Sequence, residues 1–503
     1  MKTAISSSDI LIPSSSLLLV FALAGCGSLP SVGPDYEEPE PREAAYALPD
    51  AGQPTTNLTD SCEYRPADTN EDLRVAISAD DLYRWWERFD DPVLEALVEG
   101  GISNNVSFLM AQSRLERAAW ELLGSYAGFL PQFGVGGGWH RYWYRPNTRS
   151  GGGSRTQYNV RSATIDGSWE IDIFGGTRRL AESALAQAES AGWTVEDAWV
   201  ALTTQIGMQY VSLRTMQERI EVARTNLVLQ SETYEILKSR LDSGIGDELA
   251  VNQCAYIVEQ TRARIPQLLA QEEALKNAIA ILAGETPGAL HEALRPLAGR
   301  RDWLTAPQKL SELRLEAMRA RPDVRAAERA LAAQTARIGV AKAAWFPKLF
   351  ITGAIGWENR HSTKLFSSES FLASLGPAVS WPIFQGGTVY ANVKAAKART
   401  AELALDYELA VDRAYGEVRN AYSAYTQEYH RYQSLRGAVK AATDAVTISQ
   451  DLYKNGLKDF NNVLDAQRSR LQLEEELVIS RGQITRELIG LYRALGGGLV
   501  IAE

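Results

Sequence analysis

The sequence predicts an α+β membrane protein in which two copies of one structural unit follow each other. Three observations predict this fold: motifs that recur at a nearly constant offset, very long helical patterns without proline, and four alternating segments with aromatic residues nearby. The chain has 503 residues, enough to bury a substantial core. Its net charge is −10 and its Lys and Arg residues are scattered, which argues against nucleic acid as the main partner.

The N-terminus has the organisation of a secretory signal. Lys2 precedes a short apolar run, and Leu23-Ala24-Gly25-Cys26 follows it. The run is too short to span a bilayer. The tetrad resembles the bacterial lipobox, which implies cleavage of residues 1–25 and attachment of lipid to Cys26. The alternative is an uncleaved apolar start with an unmodified cysteine.

The sequence contains no pattern typical of a catalytic or metal site. It has no phosphate loop, no zinc-peptidase motif, no nucleophile elbow and no dinucleotide fingerprint, and its four histidines are far apart. Apart from Cys26, the cysteines are Cys62 and Cys254, whose spacing is unlike that of metal ligands, and we expect free thiols. The prediction is a protein that is not an enzyme, with no metal and no cofactor beyond the covalent lipid on Cys26.

The two halves of the chain contain the same motifs in the same order. An offset of 212 positions relates Trp169 to Trp381 and Gly244 to Gly456. A series of matches at one offset indicates an internal structural repeat. The expected organisation is a signal peptide at 1–25, a lipidated extended strap at 26–80, repeat 1 at 81–300 and repeat 2 at 301–498.

Each half begins with a helix that ends near a proline, and two extended segments follow it. We expect β-hairpins at about 130–173 and 347–384. From Thr156 to Trp169 the side chains alternate with the period of a strand, although neither face is strongly apolar before Ile165. Aromatic residues lie toward the loop end of the first strand, where a membrane-interface girdle would lie; they are Trp139, Tyr142, Trp143 and Tyr144.

A very long helical hairpin completes each half, at about 177–283 and 388–495. The sequence has no proline from Arg178 to Ser243, and a helix of about 65 residues would be roughly 100 Å long. Heptad spacing in both halves predicts left-handed coiled-coil seams. The first seam consists of Ile220, Ala223, Leu227, Gln230, Tyr234, Leu237 and Leu241, and the second lies 212 positions later. Pro266 is expected to kink or break the first return helix.

The four extended segments are the candidates for crossing a membrane. A sheet in lipid must close on itself, and closed barrels need at least about eight strands. Four strands cannot close alone, whereas three chains would supply twelve strands and enclose a water-filled lumen. The sequence therefore favours a trimer.

Six motifs spread over the chain resemble the TolC-like outer-membrane efflux lipoproteins of the NodT and OprM type. They are Val32-Gly33-Pro34-Asp35-Tyr36, Trp85-Trp86 with Asp91-Pro92, Trp169 to Gly175, Arg321 to Arg325, Leu464 to Arg468, and Tyr492 to Gly498. The resemblance implies a trimeric, twelve-stranded β-barrel in the cell outer membrane, continued by a long coiled-coil α-helical barrel through the periplasm. It also implies a periplasmic adaptor protein and an inner-membrane pump of the RND type as partners, with drugs or other small molecules as cargo.

The helix after Gly456 carries the candidate periplasmic gate. Asp465 and Arg468 lie three residues apart, and by spacing alone they form an ordinary surface pair worth about 0.3–0.5 kcal/mol. The resemblance implies that they belong to the constriction at the periplasmic end. Asn461, one turn earlier, stands where relatives usually have an apolar residue, so the closed state is expected to be wetter.

The glycine-containing tips of the two helical hairpins are the candidate adaptor-facing surface. They are represented by Gly244 and Asp247 in the first repeat and by Gly456 and Asp459 in the second. Glycine can adopt the positive φ that a sharp helical reversal requires. The alternative is that these residues only form turns.

Two other functions are compatible with the same sequence. One is an outer-membrane duct for secreted polypeptides, which needs the same architecture with a different inner-membrane partner. The other belongs to a different class: a lipid-anchored coiled-coil spacer in the periplasm without a pore. Four alternating strands with aromatic residues favour a duct over a spacer.

Overall fold

The computed structural model describes residues 31–37, 39, 84–144, 156–297, 320–360, 364–455 and 457–497. Within these ranges the fold is α+β, with long helices and one antiparallel sheet. The expectations for Cys26, Cys62, Gly456 and the signal peptide concern residues outside these ranges. Two compact units are present. One comprises Met1–Glu40, Glu116–Ser190 and Ala327–Asp406, and the other Pro41–Leu115, Ala191–Ala326 and Tyr407–Glu503.

The first unit contains the four-stranded sheet. Its strands are β1 (Gln132–Tyr144), β2 (Thr156–Ile171), β3 (Lys348–Asn359) and β4 (Phe371–Ser380). They lie in the order β1-β2-β3-β4, and every neighbouring pair is antiparallel. Strands β1 and β4 therefore form the two edges of the sheet.

Seven α-helices are described. They are α1 (Pro92–Asn104), α2 (Val106–Ala127), α3 (Gly176–Asp242), α4 (Glu248–Leu282), α5 (Pro322–Ala343), α6 (Thr388–Lys454) and α7 (Phe460–Ala494). Helices α3 and α6 have 67 residues each, and α4 and α7 have 35 each. No helix in the described ranges is both long enough and apolar enough to cross a membrane.

A kink or a break was expected at Pro266; of these the break does not occur, since helix α4 continues through this residue. A proline in a helix interior costs about 3 kcal/mol, because it removes a hydrogen bond and crowds the preceding turn. Packing offsets this cost. Leu268, which is 4% exposed, packs with Ile220 and Ala223 of α3, and Ile265 lies against the same cluster.

The N-terminal residues 31–37 pack on helices α3 and α5 in the first unit. The Val32 amide donates to the Phe174 carbonyl at 3.1 Å, and Arg179 pairs with Asp35 at 2.5 Å. The Tyr36 hydroxyl donates to Glu328 at 3.3 Å. The Val-Gly-Pro-Asp-Tyr motif is therefore held against the first unit by these contacts.

An aromatic cluster forms the core of the second unit. Trp85 is fully buried, makes an edge contact with Trp86 and stacks on Tyr492 with ring centroids 6.1 Å apart. The Trp85 ring lies so close to α3 that a β-carbon on Gly207 would come within 2.2 Å of it. Asp91 caps α1 through the Val93 amide and also accepts the Tyr210 hydroxyl at 2.6 Å.

Candidate functional site

The predicted gate residues Asp465 and Arg468 form a pair within one chain. The Nη1 atom of Arg468 lies 3.4 Å from Oδ1 of Asp465, and the two side chains are 44% and 75% exposed to solvent, respectively. Asn461 lies on the same exposed face of α7, one turn earlier. A carboxylate, a guanidinium and an amide on one exposed face can form hydrogen bonds and ion pairs. The structure thus brings all three predicted residues to one face.

The sequence analysis did not identify a contact of the gate pair with the neighbouring helix. The Arg468 guanidinium lies 5.3 Å from the centre of the Tyr256 ring on α4, in cation–π geometry. An aromatic residue at an exposed heptad position, with a basic residue on the paired helix, is the signal that could have revealed it. Tyr256 therefore helps to orient Arg468.

A compact apolar cluster holds α7 against α3 and α4 below the gate pair. Its members are Leu237, Ala250, Val251, Cys254, Ile257, Phe460, Val463 and Leu464. Cys254 is a free thiol in this cluster, and burial raises its pKa to about 11. The cluster covers one side of α7 and leaves the Asn461, Asp465 and Arg468 side free.

Farther along the same helices, a half-buried ion-pair group links three elements. Glu475 of α7 lies 2.7 Å from Arg219 of α3 and 2.5 Å from Arg264 of α4. The Glu475 side chain is only 13% exposed. Sequence analysis missed this group because its members are far apart in the chain.

The first hairpin tip is a compact glycine turn. Gly244 has φ of 75° and its amide donates to the Leu241 carbonyl at 2.8 Å, which ends α3. The Asp247 carboxylate accepts the Leu249 amide at 3.0 Å and caps α4. Asp247 therefore has a structural role in the turn, whatever else the tip contacts.

The second tip differs at the cap. Asp459 occupies the N-cap position of α7, but its side chain makes no capping hydrogen bond and is exposed. Gly456, the other predicted residue of this tip, lies outside the described ranges. Both tips also carry exposed apolar side chains that the sequence analysis did not single out: Ile245 and Leu249 in the first, and Leu457 in the second.

The sheet has one apolar face, which is recognised only from the register of the four strands. Side chains alternate between faces along a strand, and directly paired residues share a face. Val135 pairs with Ile165, and Ile165 pairs with Ile355, so this row is aliphatic across three strands. The large apolar side chains on this face are Phe133, Val135, Trp139, Trp143, Ile165, Trp169, Ile171, Leu349, Ile351, Ile355, Trp357, Phe371, Leu375 and Val379. Val135 and Leu375 are more than four-fifths exposed in the single chain.

The opposite face of the sheet is polar. Asp166 pairs with Gly134 and Ala354, and Ser168 pairs with Thr352. Lys348 forms an ion pair of 3.0 Å with Glu170 on this face. A sheet with one apolar and one polar face can separate a nonpolar environment from an aqueous one.

The chain matches one protein-family model and several known proteins over most of its length. The family model is described as "Outer membrane efflux protein" and matches residues 97–285 and 313–497. The Nodulation protein T of Rhizobium leguminosarum bv. viciae is 30% identical over 90% of each chain. The outer membrane protein OprJ of Pseudomonas aeruginosa is 28% identical over 96% of this chain and 95% of that protein.

A solved structure of the outer-membrane channel OprN is similar to the whole fold. It superposes with a TM-score of 0.78 at 31% identity, covering 93% of this chain and 99% of that chain. These similarities extend across both compact units, since the family match includes residues of each.

Proposed function

The chain belongs to the outer membrane efflux protein family, and we propose that it is the passive exit duct of a tripartite efflux pump. In this proposal three copies form a twelve-stranded barrel in the outer membrane, continued by a coiled-coil α-helical barrel in the periplasm. The lumen carries drugs or other small molecules, and an inner-membrane pump supplies the energy.

The inner-membrane pump in this proposal is of the resistance-nodulation-division type, and a periplasmic adaptor joins it to the duct. The duct is anchored by lipid on Cys26 and has no catalytic step. The names of two relatives, an outer membrane protein and an outer-membrane channel, support the duct in the outer membrane.

The observation that carries the proposal is the four-stranded sheet with one apolar face and two edges. In the sheet order, β1 and β4 have no second neighbour among the described residues. Exposed backbone edges are costly in lipid, so the sheet must close by pairing with other copies. Three copies give twelve strands, which leaves room for an aqueous lumen lined by the polar face.

The proposed gate lies at the periplasmic ends of the helical hairpins. Asp465, Arg468 and Asn461 share one exposed face of α7, so three copies would present three such sets around a common axis. Ionic contacts between copies would hold the helices together in the closed state. The adaptor would contact the hairpin tips, including Gly244, Asp247, Gly456 and Asp459.

Single-channel conductance in planar bilayers tests the gate. We expect small, flickering currents from the wild-type protein and large, steady currents from the Asp465→Ala, Arg468→Ala double variant, because the ionic contacts that close the duct are removed. A matched control is Asp451→Ala with Lys454→Ala, an exposed pair of the same spacing on α6 with a distance of 3.7 Å. The control should behave like the wild type.

The other outcomes of this measurement have definite meanings. No current from any variant, despite insertion, would contradict the duct and favour the periplasmic spacer. Equal currents from wild type and the double variant would retain the duct and place its gate elsewhere. Conduction of unfolded polypeptides, in preference to small molecules, would favour a secretion duct.

A further inference from the structure

Two arginines lie on the apolar face of the sheet near its loop end. Arg141 of β1 pairs with Asn159, and Arg161 of β2 pairs with Trp139. The two arginines are therefore diagonal neighbours on one face, and such positions lie about 7–8 Å apart. Both are exposed.

The surroundings of these arginines are aromatic and amidic but not acidic. The Nη2 atom of Arg141 donates to Gln157 at 2.9 Å, and its guanidinium lies 5.6 Å from the centre of the Trp143 ring. The described strand residues on this face include no Asp or Glu. Arg141 and Arg161 are therefore two positive charges on a face without a carboxylate among its described strand residues, in a chain of net charge −10.

The two ends of the apolar face differ in charge. At the end away from the 145–155 loop, the face carries Phe133, Ile171, Leu349 and Val379, none of which is charged. Lys348 at that end belongs to the opposite face and is paired with Glu170. A partner that combines apolar chains with an anionic head would therefore be oriented, with its head beside Arg141 and Arg161.

We propose that Arg141 and Arg161 bind the phosphate groups of a membrane lipid whose acyl chains cover the apolar face. The inference rests on the proposed function, which places this face toward lipid. Guanidinium groups match phosphate oxygens with two parallel hydrogen bonds. The amides of Gln157 and Asn159 supply further donors at the same level. The partner is thus a lipid whose phosphate head carries net negative charge, in the leaflet nearest the end of the sheet at which β1 and β2 are joined.

Lipid retention by the purified trimer tests the inference. The protein is incubated in detergent with diphosphorylated lipid A or with phosphatidylcholine, and bound lipid is counted by native mass spectrometry. The variants are Arg141→Gln with Arg161→Gln, and Arg360→Gln as the matched control. Arg360 is also exposed near the loop end, but its guanidinium lies over the Tyr158 ring on the other face.

We expect wild type and the control to retain lipid A equally, and the double variant to bind it about fivefold more weakly for each arginine lost. Phosphatidylcholine binding should not differ among the three proteins. Equal retention of lipid A by the double variant would overturn the inference.

A contact between copies is the competing explanation, since Glu369, just before β4, is exposed. If the Glu369→Gln variant and the double arginine variant both dissociate from trimers in lipid-free detergent, the arginines pair with Glu369 of a neighbouring copy. That result would overturn the lipid site. Conductance separates this result from failure of the proposed function. If the wild-type protein conducts but the double variant retains as much lipid A as wild type, only the lipid site is overturned. If the wild-type protein inserts into the bilayer and carries no current, the duct and the lipid site are overturned together.

Discussion

At the scale of single residues, close packing explains the residue type at positions whose role is structural. Trp85 is fully buried, and Gly207 provides the space for its ring. The Trp85-Trp86 motif is therefore a core feature of the second unit and is separate from the candidate gate. Interiors are packed to the density of organic crystals, so even one added methyl group at such a contact is felt.

Gly207→Ala should destabilise the protein by about 1–3 kcal/mol, because the new methyl group overlaps the Trp85 ring. Gly192→Ala in the same helix is the control, since a β-carbon there would meet nothing within 4 Å. That control should be neutral or stabilising by up to about 1 kcal/mol. Thermal unfolding followed by circular dichroism measures both, and equal midpoints would contradict the packing argument.

The Cys254 thiol should be unreactive in the native protein. Its raised pKa of about 11 keeps it protonated at pH 8, and only the thiolate is a strong nucleophile. In a Cys62→Ser background, iodoacetamide should modify Cys254 slowly before unfolding and rapidly after it. Rapid modification of Cys254 in the native protein at pH 8 would contradict this prediction and show that the apolar cluster around Cys254 opens.

The raised pKa of Cys254 in the folded protein also affects the pH dependence of stability. The contribution of this thiol to the free energy of unfolding is complete below the pKa in the unfolded chain and is lost as the pH rises toward about 11.

At the scale of elements, contacts between helices decide how the long hairpins are held. Glu475 joins α3 and α4 through Arg219 and Arg264, and Arg468 of α7 lies over Tyr256 of α4. Packing across the helices also keeps α4 continuous at Pro266. Local propensity alone would not account for any of these features.

Glu475→Gln should lower the free energy of unfolding by about 1–3 kcal/mol, since two arginines lose their charged partner in a half-buried position. Glu259→Gln is the matched control, because its pair with Arg262 is exposed on both sides. An exposed pair contributes about 0–1 kcal/mol. Denaturant unfolding of the two variants compares them, and equal losses would show that burial does not matter here.

At the scale of the whole molecule, the apolar face of the sheet has a consequence for membrane assembly. Leu375 lies on the apolar face, and its neighbour Ser374 lies on the polar face. The same charged substitution should therefore have opposite outcomes at adjacent positions of β4. A difference between the two substitutions therefore indicates that the apolar face contacts lipid, whereas equal effects indicate that it does not.

Leu375→Arg should reduce assembly of the membrane-inserted trimer, because an arginine on the lipid face costs about 2–4 kcal/mol near the bilayer centre. Ser374→Arg should assemble normally, since it would face the proposed lumen. Heat-modifiable migration of the detergent-extracted protein in gels measures the trimer. Normal assembly of both variants would contradict the proposed orientation of the sheet.

The sequence by itself predicted features that depend on local periodicity. The alternation of Thr156 to Trp169 predicted β2, and the long proline-free run from Arg178 to Ser243 predicted a helix close to the observed α3. The spacing of Asp465 and Arg468 predicted that they share a face of α7. Each of these depends on residues a few positions apart, so the chain sequence contains the necessary information.

Only the tertiary structure decided the features that join distant residues. The apolar face of the sheet depends on the register of β2 with β3, which brings Ile165 beside Ile355. The two arginines bound to Glu475 also come from distant parts of the chain. Side-chain alternation defines two faces for one strand, but it does not say which residues of other strands complete each face. That information arises from long-range pairing, which is why β2 alone looked polar while the assembled sheet has an apolar face.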